Sequence, residues 1–278
     1  MLKCPQCPVG MRQKDKEARH LLSAELLDKI LEECGERLNT LQFYFQGEPL
    51  MNRHLPELIM HAKRYGIYTI VSTNAQLLDS KYAEALVQSG LDKIIVSIDG
   101  FTQDSYEQYR QGGILEKALN GLSCLSEAKK RLHSPIKIEL QCLYLKSNED
   151  EWAFVRKNYR QWGATRLSMK TAQFYDYEHG NILMPTDNRY CRYKQGRDGL
   201  WHRKKPLRNH CFRLWSGCVV DATGQVLPCC FDKDRHYVTG NIIQQSLWQI
   251  WTGERIMAFR KRVLRQRKET DICLNCTE

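Results

Sequence analysis

Apolar residues in the first 170 positions switch repeatedly between a helical period and a strand period. In residues 23–38 (SAELLDKILEECGERL), Leu26, Leu27, Ile30 and Leu31 share one helical face, as in an amphipathic helix. Residues 40–45 (TLQFYF) then read as a strand, closed by Gln46-Gly47-Glu48-Pro49, where glycine and proline interrupt regular structure. The alternation goes on: helix 54–65, strand 67–72, helix 80–89, strand 93–98, helices 103–110 and 114–131, strand 136–145, helix 148–161 and strand 165–171. Strands that alternate with helices predict parallel βα units, either a doubly wound sheet or a barrel. In both, the working residues gather at the carboxyl ends of the strands. Those ends carry Gly47-Glu48-Pro49, Ser72-Thr73-Asn74 and Ser97-Ile98-Asp99-Gly100, with Gln141 inside its own strand.

The rhythm stops after residue 175. Residues 176–210 are polar and mixed, and read as a linker or lid. From Cys211 the texture is short strands and turns: Asp221-Ala222-Thr223-Gly224 is a hairpin turn between strands expected at 214–220 and 225–227, a sequence suited to a tight connection. Residues 246–251 and 255–267 read as helices. This divides the chain into 1–175, 176–210 and 211–278. A length of 278 residues suits one large domain with a small appendage. With 42% hydrophobic and 27% charged residues, wholesale disorder is excluded. No apolar run approaches the roughly 18 residues of a membrane span. The first residues lack the apolar core of a signal peptide, so a cytoplasmic protein is expected.

The net charge is +10 and there are twelve cysteines. Basic residues bunch at 203–205 and 255–268, as a solvated helix face or as a docking face for an acidic partner. In a reducing compartment clustered cysteines serve metal binding or redox chemistry more often than disulfides. Two pairs stand out, Cys4-Pro5-Gln6-Cys7 and Cys273-Leu274-Asn275-Cys276. A two-residue gap lets both sulfurs turn to one metal or cluster. Cys34, Cys124, Cys142 and Cys191 read as small hydrophobes. Cys218 and Cys230 read as bystanders, although Cys230 could replace Cys229 as a ligand.

The opening MLKCPQCPVGM resembles the end of the CxxxCxxC loop of radical S-adenosylmethionine (SAM) enzymes. Cys4 and Cys7 match its second and third ligands. Gln46-Gly47-Glu48-Pro49 resembles that family's GGEP motif, Ser72-Thr73-Asn74 ends the third strand as in many members, and Ser97-Ile98-Asp99-Gly100 resembles its SxDG motif. Each motif is weak alone; their shared order is what carries the resemblance. It implies an α/β fold: a partial (β/α)6 TIM-like barrel, here lacking its first strand, plus a small C-terminal α+β domain. It implies a 4Fe–4S cluster on Cys4 and Cys7 that binds SAM. SAM contacts are then expected from Gly47, Glu48, Pro49, Ser72, Asn74, Ser97, Asp99, Arg110 and Gln141. The C-terminal part resembles the twitch, or shortened SPASM, domain, which implies an auxiliary 4Fe–4S cluster on Cys211, Cys229, Cys273 and Cys276. The implied activity is reductive cleavage of SAM to a 5′-deoxyadenosyl radical. That radical takes hydrogen from a peptide or small-molecule substrate, and the auxiliary cluster accepts an electron. Tyr175, Asp176, Tyr177 and His179 are candidates for substrate contact. An acidic flavodoxin or ferredoxin is the implied electron donor, and no membrane or nucleic-acid partner is expected.

The first cysteine of the pattern would stand four residues before Cys4, upstream of Met1. A late start of the chain is the expected explanation, and an in-frame cysteine upstream would show it. Two other readings stay open: a catalytically incomplete protein that keeps only its C-terminal metal site, or a cluster completed by a non-cysteine or partner ligand. A reading from a different class is a zinc-stabilised nucleic-acid-binding protein that uses the 255–268 helix.

Overall fold

The computed structural model describes residues 2–11 and 20–276. In chain order the elements are α1 (Pro8–Met11), α2 (Ala24–Cys34), β1 (Thr40–Gln42), α3 (Leu55–Arg64), β2 (Tyr68–Thr73), α4 (Ser80–Gln88), β3 (Lys93–Ser97), α5 (Gln103–Tyr109), α6 (Leu115–Arg131), β4 (Lys137–Tyr144), α7 (Trp152–Asn158) and β5 (Arg166–Thr171). They continue with β6 (Tyr193–Gln195), β7 (Trp201–Arg203), α8 (Arg213–Ser216), β8 (Val219–Val220), β9 (Gln225–Leu227), β10 (Gly240–Asn241), α9 (Leu247–Thr252), α10 (Glu254–Gln266) and α11 (Asp271–Leu274). Two compact units result, Met1–Ala18 with Leu38–His202, and Arg19–Arg37 with Arg203–Glu278. Among the described residues no helix is long and apolar enough to cross a membrane.

In the first unit, β1 to β5 form one parallel sheet in the order β1-β2-β3-β4-β5. Each strand lies beside its neighbour in sequence. That is how a barrel wall winds, whereas a doubly wound sheet reverses its order at a switch point. The expected partial barrel is therefore the fold that forms. Ile94, Val96, Ile138 and Leu140 are fully buried in the sheet. Side-chain caps start the covering helices where polar residues precede them: Asp79 accepts from Tyr82 N (2.7 Å) at α4, and Thr102 forms a reciprocal box with Ser105 at α5. Two elements are shorter than the sequence pattern suggests. β1 ends at Gln42, although Phe43 N still bonds Ile70 O (2.8 Å), because the chain then turns through Gly47 at a φ of 85°. The helix expected at 148–161 is α7 alone, since 146–151 wind more tightly.

Residues 172–193 are not only surface. Ala172, Phe174, Leu183, Met184, Cys191 and Tyr193 share one apolar cluster with Cys4, and Cys7 packs against it.

In the second unit, β8, β9 and β10 form a small antiparallel sheet. The turn at 221–224 is as expected, with Gly224 N bonded to Asp221 O (3.0 Å) and Thr223 N to the Asp221 carboxylate (2.9 Å). The strand expected from 214 is not one: 213–216 are helical, and only Val219 and Val220 pair. α2 belongs to this unit because Glu33 accepts from Leu247 N and Trp248 N at 2.7 Å each. That places a carboxylate on the open amides of α9.

Candidate functional site

At the carboxyl ends of the strands of the first unit, a cavity of about 200 Å³ is lined by Cys4, Cys7, Gly47, Glu48, Ser72, Thr73, Asn74, Ser97 and Arg110, with Leu2, Val9, Tyr44 and Phe45. Of the residues expected to meet SAM, it collects Gly47, Glu48, Ser72, Asn74, Ser97 and Arg110, together with both N-terminal cysteines. Pro49, Asp99 and Gln141 are not in its lining. Pro49 starts the turn after Glu48. Gln141 pairs with Ser97 across the sheet, its carbonyl accepting from Ile98 N (3.0 Å).

Glu48 is held by its neighbours. Its carboxylate accepts from Leu50 N (3.1 Å), Thr73 Oγ1 (2.6 Å) and Asn74 N (2.9 Å). A carboxylate offers about four acceptor positions, so one is left for a donor in the cavity. Burial raises the Glu48 pKa, opposed by those same hydrogen bonds. Thr73, which the sequence did not single out, fixes this carboxylate.

Asp99 is 1% exposed. One of its oxygens accepts from Arg110 Nε and the other from Leu143 N, each at 2.6 Å. Asn148 Nδ2 holds the Asp99 carbonyl (2.9 Å). Arg110 Nη1 in turn lies 4.0 Å from Cys4 Sγ. Asp99 thus reaches the cavity through the guanidinium that it orients. Burial raises the Cys4 thiol, and Arg110 opposes that rise. A Cβ on Gly10 would fall 2.6 Å from Cys4 O, so the chain after the cysteine pair closes tightly over it. Gln6, between the two cysteines, accepts from Tyr175 N (2.8 Å) and donates to the Asp176 carboxylate (3.4 Å). Tyr177 stacks on Tyr193 at 4.6 Å, while His179 ends the same short turn.

In the second unit Cys211 is buried in one apolar cluster with Leu214, Phe259 and Val263, and Cys229 and Cys273 pack against it. Cys276, also buried, follows Cys273 in a tight turn, its N–H bonded to Cys273 O (3.0 Å). Burial raises the Cys273 thiol, and the neighbouring Cys276 and Cys211 sulfurs add to the rise. The four expected cysteines therefore converge. Cys230 touches this set through a side-chain hydrogen bond with Cys229, and Arg213 Nη1 lies 3.6 Å from its sulfur. Cys142 and Cys191 are buried as small hydrophobes. Two arginines of the basic 255–268 run, Arg260 and Arg267, are buried at 4% and 1% exposure.

Residues 1–150 match the family model of the radical SAM superfamily, and 211–277 match SPASM, an iron–sulfur cluster-binding domain. The chain belongs to the radical SAM superfamily. Among curated relatives, the Fe-coproporphyrin III synthase of Methanosarcina barkeri is 32% identical over 130 residues, covering 46% of this chain and 32% of its own. The PqqA peptide cyclase of Gluconobacter oxydans is 28% identical over 249 residues, covering 82% of this chain and 66% of its own. The chain thus spans less than two-thirds of the length of either relative. Among solved structures, Streptococcus suis SuiB bound to S-adenosylmethionine aligns with a TM-score of 0.69 at 15% identity, covering 99% of this chain and 68% of that one. These matches do not favour the zinc-protein or incomplete-enzyme readings.

The residues present can be tested against the groups that a radical SAM protein with a SPASM domain uses. Among the described residues no group of three or more His, Cys, Asp or Glu side chains is arranged to hold a metal ion. A lone zinc would draw its sulfurs to about 2.3 Å from one centre, whereas a four-iron cluster fits between thiolates that stand farther apart. The convergent soft donors Cys211, Cys229, Cys273 and Cys276 suit such a cluster. Cys4 and Cys7 supply two thiolates, in a cavity with a carboxylate for an ammonium group and a guanidinium for an anion; that donor set suits a cluster with SAM.

Proposed function

We propose that the protein is a radical SAM enzyme whose reaction starts in the cavity at the ends of β1 to β3 and whose C-terminal cysteines hold an auxiliary cluster. The observation that carries this is the meeting of Cys4 and Cys7 with Glu48, Asn74, Ser97 and Arg110 in one cavity. When bound, cluster and SAM supply reductive cleavage of the sulfonium to a 5′-deoxyadenosyl radical, which takes a hydrogen atom from substrate. The chain's own residues prepare the place. Glu48, pinned by Leu50, Thr73 and Asn74, keeps one acceptor position for the SAM ammonium. Arg110, oriented by Asp99, receives negative charge beside Cys4. Ser97 and Ser72 offer hydroxyls at the strand ends. The apolar cluster of Phe174, Leu183, Met184 and Tyr193 keeps water from the cysteine loop.

In this reading residues 1–175, α2 apart, are the partial barrel, 176–210 are its lid or linker, and 211–278 form the auxiliary-cluster domain. Tyr175 and Asp176, tied to Gln6, sit where a substrate would be sensed. A peptide is the favoured substrate class over another small molecule, because the similarity to a peptide cyclase extends over most of the chain. The auxiliary cluster accepts an electron from the substrate, and an acidic flavodoxin or ferredoxin in the cytosol supplies the reducing electron, drawn by the net charge of +10.

Anaerobic reconstitution with iron and sulfide, then dithionite and SAM, tests the proposal on this chain and on one extended upstream of Met1. Formation of 5′-deoxyadenosine that is lost with Cys4→Ser or Glu48→Ala supports it. An iron-loaded extended chain that makes none defeats it.

A further inference from the structure

Arg267 is fully buried just past the end of α10, in a segment whose basic residues, Arg260 apart, face solvent. Its backbone N–H bonds Asn209 Oδ1 (3.2 Å), and its Nη1 donates to the carbonyls of Arg208 (3.1 Å) and His210. Its Nη2 donates to Cys276 Sγ (3.5 Å). Its Nε is buried and has no hydrogen-bond partner. Among the described residues it has no carboxylate partner. A guanidinium does not lose its proton in a protein, and a buried cation without an anion is costly. The groups left to answer it are sulfurs: Cys276 in direct contact, and Cys273, whose thiol it also holds down against burial. The carbonyl of His210, immediately before Cys211, ties the same guanidinium to a second ligand segment.

We propose that Arg267 is the built-in counter-charge of the auxiliary cluster, a positioning residue that holds two of the cysteine-bearing segments together and favours the cluster's reduced state. This rests on the reading that the C-terminal cysteines hold a cluster. Four thiolates give such a cluster a net negative charge. A fixed positive charge at its sulfurs, in a poorly solvated site, stabilises one further electron. That is the direction needed by a centre that accepts an electron from a substrate.

The test uses the whole chain carrying Cys4→Ser and Cys7→Ser, so that the C-terminal cluster is the one followed. Into it go Arg267→Gln, which removes the charge, and Arg267→Lys, which keeps it but loses the planar fork. Iron content, near-ultraviolet circular dichroism and a redox titration followed by electron paramagnetic resonance are read for each. The Gln variant is expected to favour the oxidised cluster at least tenfold more than the parent, about 59 mV for one electron. The Lys variant should stay within threefold of the parent. A folded, iron-loaded Gln variant within threefold of the parent overturns the proposal. Should the Gln variant not fold, a Lys variant shifted tenfold or more overturns it, and so does the loss of fold in both, which would make the charge a requirement of the fold alone. A parent that binds no iron defeats the cluster reading itself, a different result.

Discussion

Asp99→Ala is the most direct probe of how the cavity is built. Asp99 is 1% exposed and its ion-pair partner Arg110 has 17% of its side chain exposed, with 2.6 Å between Oδ2 and Nε. Removing one member of a buried pair leaves the other charged in a poorly solvated place, which costs about 3–5 kcal/mol. The Leu143 N–H loses its acceptor at the same stroke, but the two losses share one site and do not simply add. For a domain of this size each kcal/mol lowers Tm by about 2–4 °C, so a fall of roughly 6–20 °C is expected. Differential scanning calorimetry of the metal-free protein measures it. Asp99→Ala with Arg110→Met removes both charges and is expected to regain much of the loss, since an apolar pair can replace a buried ion pair nearly neutrally. A single variant that melts within about 2 °C of wild type would refute the idea that Asp99 acts as the Arg110 counter-charge. A double variant that melts lower than the single would refute it as well. Unchanged melting with abolished SAM binding would instead place Asp99 directly on the ligand.

Burial raises Glu48 above the ordinary carboxylate value of about 4.3. SAM binding to the reconstituted protein should therefore begin to fall above about pH 4.3 as the pH is lowered; equilibrium dialysis that finds a level profile down to about pH 4 contradicts this. Burial pushes the Asp221 carboxyl up, but bonds from Arg235 (2.8 Å), Thr223 and Gln225 outweigh it and hold it below its usual range. Its contribution, about 1.5–3 kcal/mol for bonds to a charged group, is present above about pH 3.9 and is lost as the pH falls through the lower folded value. The Tm gap between wild type and Asp221→Asn should accordingly close in acid, and a gap that widens would be the wrong sign. Gly10→Ala puts a Cβ 2.6 Å from Cys4 O and 2.8 Å from Cys4 N. Neither backbone atom can swing away, so about 1–3 kcal/mol of strain should move the cysteine loop. Iron analysis should show loss at Cys4 and Cys7 with the C-terminal iron kept.

The sequence was most readable where local rules and the fold agree. Period-2 and period-3.6 apolar patterns marked all five parallel strands and their covering helices, with ends displaced by a few residues where turns intervene, as at Gln42 and before Trp152. Gly47, Glu48, Ser72, Asn74 and Ser97 could be found because strand ends in βα folds face the site, and polar residues there interrupt otherwise apolar runs. Three relationships left no such trace. Asp99 and Arg110 meet because α5 folds back over the end of β3, and nothing in their spacing says that the carboxylate binds the guanidinium. Thr73 alternates as an ordinary strand residue, yet its hydroxyl fixes Glu48.

Arg267 was hidden most completely, because it sits in a run of seven cations between Arg255 and Lys268. A charged run normally marks a solvated face, and five of these side chains do lie exposed. Periodicity alone could have separated the other two: Arg260 and Arg267 are seven residues apart, two helical turns, and so share a face with the buried Ile256 and Val263. Two cations on an apolar stripe need either aromatic faces or anions. Arg260 has the first, lying 4.8 Å from the Trp215 ring and 4.1 Å from that of Trp251. Among the described residues Arg267 has no ring and no carboxylate, only carbonyls and cysteine sulfur. The same basic segment thus shows both solutions, and the second has a purpose only if the sulfurs beside it carry negative charge.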